Sequence, residues 1–324
     1  MCTAITFKTK DFYFGRNLDL EYSYNETVTI TPRNYPFHFR NGKTLNTHYA
    51  LIGMAAVADN YPLYYEATNE KGLSLAGLNF PQNAAYNDYD KNKINIAPFE
   101  LIPWILGQCS TTKDACSLLS ELNIWNTAYS TVYPLTPLHW LLADQNECVT
   151  IEPLPDGLRF CKNSVGVLTN NPPFDFQMHH LAGYMNLTSK PPINRFSDKV
   201  DLIPYSLGMG AIGLPGDLSS TSRFVKAAFT KLNSISGDTE PESISQFFHI
   251  LGSVAQQRGV TTVRDKEYEI TLYSSCCNTT KGIYYYTTYE NHQINAVYMY
   301  HCDLSGAEII TYPLIRGQHI NIQN

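Results

Sequence analysis

Alternating apolar and polar residues constrain the fold of this chain most, because such alternation is typical of β-strands with one buried face. The segments TAITF and DFYFGRNLDL predict a first hairpin, and ETVTITPR is expected to continue the same sheet. Further strands are predicted within residues 49–81, 138–172 and 267–300, with a tight hairpin at Pro155-Asp156-Gly157. Strands therefore dominate both ends of the chain and its middle.

Helical periodicity separates these strand blocks. Residues 98–122 predict two helices divided near Ser110, and further helices are expected at residues 174–187, 221–232 and 242–257. No repeat, low-complexity tract or linker interrupts the 324 residues. The order of strands, helices, strands, helices and strands predicts an α+β fold in one domain, with two stacked sheets covered by helices.

Charge and composition exclude several classes of protein. The formal net charge is −6 without a Lys/Arg cluster, which argues against a nucleic-acid binder. No apolar run approaches the roughly 18 residues of a membrane-spanning helix, so stable membrane insertion is not expected. The N-terminus lacks the basic and apolar regions of a secretory signal, which predicts a cytoplasmic protein whose eight cysteines are thiols. No cysteine or histidine spacing suggests a metal site.

Three short motifs are interpreted as structural. Gly208, Gly210 and Gly213 have the spacing of a dinucleotide-binding loop, but prolines at 204 and 215 flank them where a strand and a helix would be required. A nucleotide-dependent oxidoreductase is therefore disfavoured. The pair His179-His180 falls on a predicted helix, where neighbours point in different directions, and Cys276-Cys277 falls on a predicted strand.

Cys2 directly follows the initiator methionine. Removal of Met1, which a small second residue favours, would leave a mature domain of residues 2–324 whose first residue carries both a thiol and an α-amine. An α-amine titrates near pH 7.7–8.0, so it can act as a base toward the thiol of its own residue. The sequence therefore predicts an N-terminal nucleophile.

Arg16 and Asp19 lie in the strand predicted to pair with the one that begins at Cys2. A guanidinium beside the sulfur would stabilise the thiolate, and the carboxylate of Asp19 would accept hydrogen bonds from the amine or thiol. The alternative is a surface ion pair, which would contribute little to stability.

Several motifs in the same order resemble the choloylglycine hydrolase family, most closely its bile salt hydrolases, with penicillin V acylases as the sister group. They are MCT, FGRNLD, NEKGLSLAGLNFP, GVLTNNP and LPGDLSSTSRF, and they extend over almost the whole chain. The resemblance implies the Ntn-hydrolase fold, a four-layer αββα sandwich, and a homotetramer.

The resemblance also implies six catalytic positions, all present here: Cys2, Arg16, Asp19, Asn79, Asn170 and Arg223. In this interpretation the backbone N–H of Asn79 and the side-chain amide of Asn170 form the oxyanion hole, and Arg223 orients Asp19 and the nucleophile. No metal or organic cofactor is implied. One departure is Leu18, where the family often has methionine.

The resemblance implies a small-molecule substrate, a bile salt conjugated with glycine or taurine. The residues expected to contact its steroid are Leu18, Tyr22, Ala58, Tyr65, Tyr129 and Tyr133. Penicillin V acylase activity is the alternative within the family, and the form GLNFP around Asn79 favours bile salts. A catalytically inert protein that binds steroids or acyl amides is the alternative from another class.

Overall fold

The computed structural model describes all residues, 1–324. In chain order the strands are β1 (Cys2–Lys8), β2 (Phe12–Leu20), β3 (Thr27–Thr31), β4 (Phe37–His38), β5 (Thr44–Leu45), β6 (Leu51–Ala58), β7 (Tyr61–Asn69), β8 (Ser74–Asn79), β9 (Ile94–Ile96), β10 (Leu122–Ile124), β11 (Leu138–Ala143), β12 (Cys148–Leu154), β13 (Gly157–Lys162), β14 (Val167–Leu168), β15 (Thr262–Arg264), β16 (Glu267–Tyr268), β17 (Ile270–Asn278), β18 (Ile283–Thr288), β19 (Asn295–Tyr298) and β20 (Ile310–Pro313).

Five α-helices complete the fold: α1 (Leu101–Leu106), α2 (Thr112–Ser120), α3 (Phe174–Ala182), α4 (Ser220–Asn233) and α5 (Glu240–Gly252). The predicted division of residues 98–122 into two helices is confirmed. Thr111 caps the second helix, because its hydroxyl accepts a hydrogen bond from the backbone N–H of Asp114 at 3.1 Å. The other predicted helices are present with ends shifted by a few residues.

Two antiparallel sheets form the centre of the molecule. The first sheet has the order β14-β1-β2-β17-β18-β19, and the second has the order β13-β12-β11-β8-β7-β6-β3-β20. Helices α4 and α5 pack on the first sheet, α1 packs on the second, and β1 and β2 contact β8 between the sheets. The predicted αββα sandwich is confirmed.

The prediction that ETVTITPR continues the first sheet is wrong. Its strand, β3, pairs with β6 and β20 of the second sheet. The chain changes sheets in a turn where Asn25 has a φ of 60° and the Glu26 carboxylate accepts hydrogen bonds from the Ser23 hydroxyl and the Tyr24 N–H. Alternation identifies a strand but not its partners.

The first hairpin is buried on both faces. All of β1 except its last residue is buried, as is β2 up to Asp19, because the second sheet covers one face and helices α4 and α5 cover the other. Buried charged side chains in this hairpin are unusual, since isolated charges lose solvation free energy in an apolar interior. Arg16 and Asp19 are both 0% exposed, which excludes the surface ion pair.

Candidate active site

The register of the first hairpin places Arg16 on the same face as Cys2. Cys2 pairs with Leu18, and Ala4 pairs with Arg16. Residues two apart in a strand point to the same face, so the side chains of Cys2, Arg16 and Leu18 all point toward the second sheet. Cys2 is 3% exposed.

The guanidinium of Arg16 is held by carbonyl groups of the second sheet. Its Nη1 donates to the carbonyl oxygens of Tyr65 at 3.2 Å and Gly77 at 2.5 Å. Nη2 is buried and has no protein partner. Burial by itself would lower the pKa of Arg16, but the nearby acidic groups, the Cys2 thiolate foremost, raise it overall. The guanidinium therefore stays charged, with one nitrogen free for a ligand or thiolate.

Glu66 is a second buried charge that the sequence analysis missed. Its Oε2 lies 3.9 Å from Nε of Arg16, and its carboxylate accepts hydrogen bonds from the hydroxyls of Tyr273, Ser275 and Tyr284. Burial raises the pKa of Glu66, while Arg16 and the three hydroxyls oppose that rise. The one available signal is an acidic residue within the strand LYYEATN.

Asp19 lies on the opposite face of β2 from Arg16, beside the start of the chain. Its backbone N–H donates to the Met1 carbonyl at 3.0 Å, and its backbone carbonyl accepts from the Met1 amine at 2.9 Å. Oδ1 accepts from the Thr271 hydroxyl at 2.6 Å, whereas Oδ2 is buried without a partner. Burial raises the pKa of Asp19, and the charges of Arg223 and the α-amine act in the opposite direction.

Asn170 connects the backbone of Cys2 to Asn79. Its Oδ1 accepts from the Cys2 N–H at 2.9 Å and from Nη2 of Arg223 at 2.8 Å. These two donors fix the orientation of the amide, whose Nδ2 donates to the Asn79 carbonyl at 2.7 Å. An amide nitrogen carries two hydrogens, so Nδ2 retains one further donor.

Arg223 holds the first residues of β1 rather than the Asp19 side chain. Its Nη1 donates to the Cys2 carbonyl at 2.5 Å and to the Thr3 hydroxyl at 2.6 Å. The side-chain hydrogen bonds of Arg223 go to Leu218, Cys2, Thr3 and Asn170, and none reaches Asp19. Arg223 acts on that carboxylate only through its charge.

Met1 occupies the position next to the thiol. Its amine forms an ion pair with Glu269, and burial lowers the pKa of that amine. The nitrogen of Cys2 is a peptide N–H in this chain, and a peptide nitrogen is not a base. The chemistry predicted from the sequence therefore requires cleavage of the bond between Met1 and Cys2.

An apolar pocket opens beside Arg16. Of the six residues expected to contact substrate, Tyr65, Tyr129 and Tyr133 line it, together with Leu63, Phe99 and Leu135 among others. Leu18, Tyr22 and Ala58 do not line it: Leu18 is buried against Cys2, Tyr22 is exposed, and Ala58 accepts a hydrogen bond from the Tyr129 hydroxyl at 2.9 Å. Gly77, whose carbonyl binds Arg16, also lines the pocket.

The other motifs are built into the scaffold. Gly208 and Gly210 lie in a loop with a short 3-10 turn at Met209–Ala211, not between a strand and a helix. His179 and His180 lie on α3, and Cys276 and Cys277 are buried in β17.

No group of three or more His, Cys, Asp or Glu side chains could hold a metal ion. None of the helices has both the length and the apolar character needed to cross a membrane.

Comparison with known proteins agrees with this geometry. The family described as linear amide C–N hydrolases, choloylglycine hydrolase family, matches residues 2–312. A bile salt hydrolase/transferase of Lactiplantibacillus plantarum is 57% identical over 97% of each chain. A crystal structure of a variant of the conjugated bile acid hydrolase from Clostridium perfringens is 38% identical, covers 100% of both chains and superposes with a TM-score of 0.92. A penicillin V acylase from Agrobacterium tumefaciens has a TM-score of 0.75 over 96% of this chain and 91% of its own, and its 18% identity shows the fold alone.

Proposed function

This chain belongs to the choloylglycine hydrolase family of linear amide C–N hydrolases, and we propose that it hydrolyses the amide bond of bile salts conjugated with glycine or taurine. The family supplies the reaction, cleavage of a linear amide. The names of the relatives from Lactiplantibacillus plantarum and Clostridium perfringens supply the substrate class. The observation that carries the proposal is the buried Arg16 guanidinium, with Nη2 free, on the face of the hairpin that presents Cys2.

Cys2 becomes the nucleophile once Met1 has been removed. Its nitrogen is then an α-amine, and the Asn170 Oδ1 that now accepts the Cys2 N–H at 2.9 Å is placed to hold that amine. The amine takes the proton of the thiol, and the thiolate is stabilised by Arg16. The unpartnered Oδ2 of Asp19 gives the new ammonium group an acceptor.

Acyl transfer follows from this arrangement. The thiolate forms an S–C bond to the amide carbonyl, and the negative charge on oxygen is stabilised by the Asn79 N–H and the free hydrogen of Asn170 Nδ2. The C–N bond then breaks, and the ammonium group of Cys2 protonates the departing glycine or taurine nitrogen. Water attacks the thioester with the same amine as base, which releases the bile acid and restores the thiol.

The apolar pocket is suited to the steroid. Tyr65, Tyr129 and Tyr133 supply aromatic walls, and the lining includes Gly77, whose carbonyl binds Arg16. A rigid apolar ligand gains binding free energy in proportion to the apolar area it buries. The amide of a conjugated bile salt would lie toward Tyr65 and Gly77, the two lining residues whose carbonyls bind Arg16.

Replacement of the nucleophile tests this function. We expect Cys2→Ala to lower the turnover of taurocholate and glycocholate by about 10⁴-fold or more, while binding of the substrate is kept because the pocket is unchanged. Release of taurine or glycine and calorimetric binding are the measurements. The parent protein should have an intact mass lacking one methionine. An active parent that retains Met1, or a parent that binds bile salts without turnover, would overturn the proposal.

Assays can distinguish two other activities, acylase and transferase, that would use the same thioester intermediate. Penicillin V acylase activity would release phenoxyacetate, and we expect it to be slower than bile salt hydrolysis at equal enzyme concentration. The printed name of the Lactiplantibacillus plantarum relative also includes transferase, and an amine could replace water in the second step. Incubation of conjugated bile salt with excess of a second amino acid would then yield the exchanged amide.

We further propose that the enzyme is a cytoplasmic homotetramer. All eight cysteines are free thiols, as expected in a reducing compartment. The loop segment 183–216 between α3 and α4 exposes apolar side chains to an unusual degree, among them Met185, Ile193, Phe196, Ile203, Tyr205, Leu207 and Ile212. Exposed apolar surface of this kind is typical of an interaction site, and the homotetramer that the family resemblance implies favours further copies of this chain as the partner.

A further inference from the structure

One histidine touches both chain segments that carry the proposed oxyanion hole. His139 lies in β11 and is 0% exposed. Its ring stacks on Phe80, with centroids 4.1 Å apart and planes 7° from parallel. Its Nε2 lies 2.8 Å from the carbonyl oxygen of Thr169. Phe80 directly follows Asn79, and Thr169 directly precedes Asn170, so a single ring contacts the neighbours of both residues.

Glu152 orients this ring. It lies in β12, next to β11, and its Oε1 is 3.4 Å from Nδ1 of His139. The same oxygen accepts the backbone N–H of Phe174 at 2.8 Å, where α3 begins. A carbonyl oxygen can only accept, so Nε2 of His139 must carry a hydrogen and donate it to Thr169. Nδ1 faces Glu152 at 3.4 Å on the other side, so the ring has a polar contact at each nitrogen that fixes its orientation.

The contacts of His139 are expected to affect the position of the Asn79 and Asn170 segments more than the stability of the protein. A buried polar pair loses much of its favourable interaction to desolvation, and apolar residues of similar volume often stabilise a core equally well. The directional bond to Thr169 and the parallel stack on Phe80 add geometry that an apolar ring would not. Asn170 and Asn79 are also joined directly by the 2.7 Å bond from Nδ2 to the Asn79 carbonyl.

We propose that His139, oriented by Glu152, is a positioning residue that aligns the Asn79 and Asn170 donors of the oxyanion hole. This inference rests on the proposed function. His139 does not touch Cys2 and lies outside the residues that line the apolar pocket. Its effect is therefore on the transition state, where donors must lie 2.7–3.1 Å from the developing oxyanion, and not on binding of the steroid.

Two substitutions separate the contacts of the ring. His139→Phe keeps the stack on Phe80 and removes the donor to Thr169, and His139→Gln keeps a donor nitrogen but loses the stack. Displacement of a reacting group by 1 Å can cost about 10²-fold in rate. We therefore expect His139→Phe to lower kcat for taurocholate by about 10- to 100-fold with KM changed less than about 2-fold, and His139→Gln to restore part of that loss.

A second buried histidine provides the matched control. His48 also packs against an aromatic ring, that of Phe37 at 4.7 Å, and its ring nitrogens contact the carbonyls of Tyr35 and Tyr49. It lines neither the pocket nor the site. His48→Phe should lower the melting temperature without lowering kcat. A loss of kcat in His48→Phe equal to that in His139→Phe would show that the effect is only structural.

A bile acid aldehyde tests the oxyanion directly. Addition of the Cys2 thiol to the aldehyde gives a hemithioacetal whose oxygen occupies the hole, so its affinity should fall in His139→Phe by the same factor as kcat. The affinity for free cholic acid should not change. Equal loss for both ligands, or no change in kcat, would overturn the inference. If His139→Phe does not fold, Glu152→Gln gives the same test with a smaller expected loss of kcat.

Asn170→Ala distinguishes failure of the inference from failure of the proposed function. If Asn170→Ala turns over at the parent rate, the oxyanion assignment itself is wrong. If Asn170→Ala loses kcat while folded His139→Phe does not, only the role of His139 is wrong. Loss of kcat in both, without an additive loss in the double variant, supports the inference, because residues that act as one unit are not additive.

Discussion

At the scale of residues, the site depends on charges buried in balance. Arg16 and Arg223 are both 0% exposed, and the acidic groups near them are Glu66, Asp19 and the Cys2 thiol. Removal of one partner from such a set leaves an uncompensated charge, which destabilises a protein by about 3–5 kcal/mol. Nη2 of Arg16 has no hydrogen-bond partner among these groups. The buried guanidinium, which costs solvation free energy, is therefore also the cation that can stabilise the Cys2 thiolate.

Lys231 shows a buried charge whose contribution to stability can be measured against pH. It lies on α4, and its Nζ donates to the Thr6 hydroxyl at 3.2 Å and to the Val165 carbonyl. Burial lowers the pKa of Lys231 to about 8, against about 10.4 for a lysine in an unfolded chain. Between these values the unfolded chain holds more protons than the native protein, so stability should rise with pH.

We expect the free energy of unfolding of the parent, relative to Lys231→Met, to increase by on the order of 3 kcal/mol between pH 7.5 and 10.5. The comparison with the variant is needed because buried tyrosines and cysteines with raised pKa values that do not depend on Lys231, such as Tyr35 at about 12, lower stability over the same range in both proteins. Urea unfolding at four pH values provides the measurement. A difference that does not change with pH would contradict the prediction.

Sequence reasoning at this scale predicted contacts that depend on local spacing and missed contacts that depend on distant strands. Cys2 and Arg16 are joined by one hairpin, so their proximity follows from the alternation. Glu66 binds hydroxyls from β17 and β18, more than 200 positions away in sequence. His139 contacts Phe80 and Thr169, which directly follow β8 and β14. No local pattern carries such information.

At the scale of elements, β2 is the strand on which the site depends. It lies between β1, which supplies Cys2, and β17, which supplies two of the three hydroxyls around Glu66. Its pairing with β1 was predictable from alternation, and its pairing with β17 was not, because 250 residues separate them. The incorrect assignment of β3 to the first sheet has the same cause. A period of two residues specifies faces, whereas sheet order is decided by packing of the whole chain.

Gly15 allows β2 and β17 to approach closely. A Cβ at this position would lie 2.0 Å from the Ser275 carbonyl oxygen and 2.9 Å from Cα of Cys276. We expect Gly15→Ala to separate the strands, break the bond from the Arg16 N–H to the Ser275 hydroxyl, now 3.2 Å, and destabilise the protein by about 3 kcal/mol or more. Urea unfolding measures the change.

Gly252→Ala is the matched control for this prediction. Gly252 is the last residue of α5, and a Cβ there would meet no atom within 4 Å. Alanine should leave stability unchanged or raise it by up to about 1 kcal/mol. If Gly15→Ala behaved like Gly252→Ala, the close approach of β17 would not limit the residue at position 15.

At the scale of the whole molecule, the order of strand and helix blocks was sufficient to predict the layers. Helices that follow a strand block must cover an apolar sheet face, and two such blocks give two covered faces. The pocket was predictable only in part. Tyr65, Tyr129 and Tyr133 line it, but Tyr22 does not, although its hydroxyl lies 2.8 Å from that of Tyr24, which is part of the lining.

The exposed segment 183–216 is expected to join the copies of this chain in a tetramer. Leu207 is 93% and Ile203 78% exposed. Burial of such apolar side chains by another copy would stabilise the assembly. Light scattering of the parent should give four times the 36.6 kDa of one chain, and the double variant Ile203→Asp/Leu207→Asp should dissociate without loss of secondary structure. Ile235→Asp, at an equally exposed residue between α4 and α5, should leave the mass unchanged. A parent that is monomeric, or a double variant that keeps the parent's mass, would show that this segment does not join the copies.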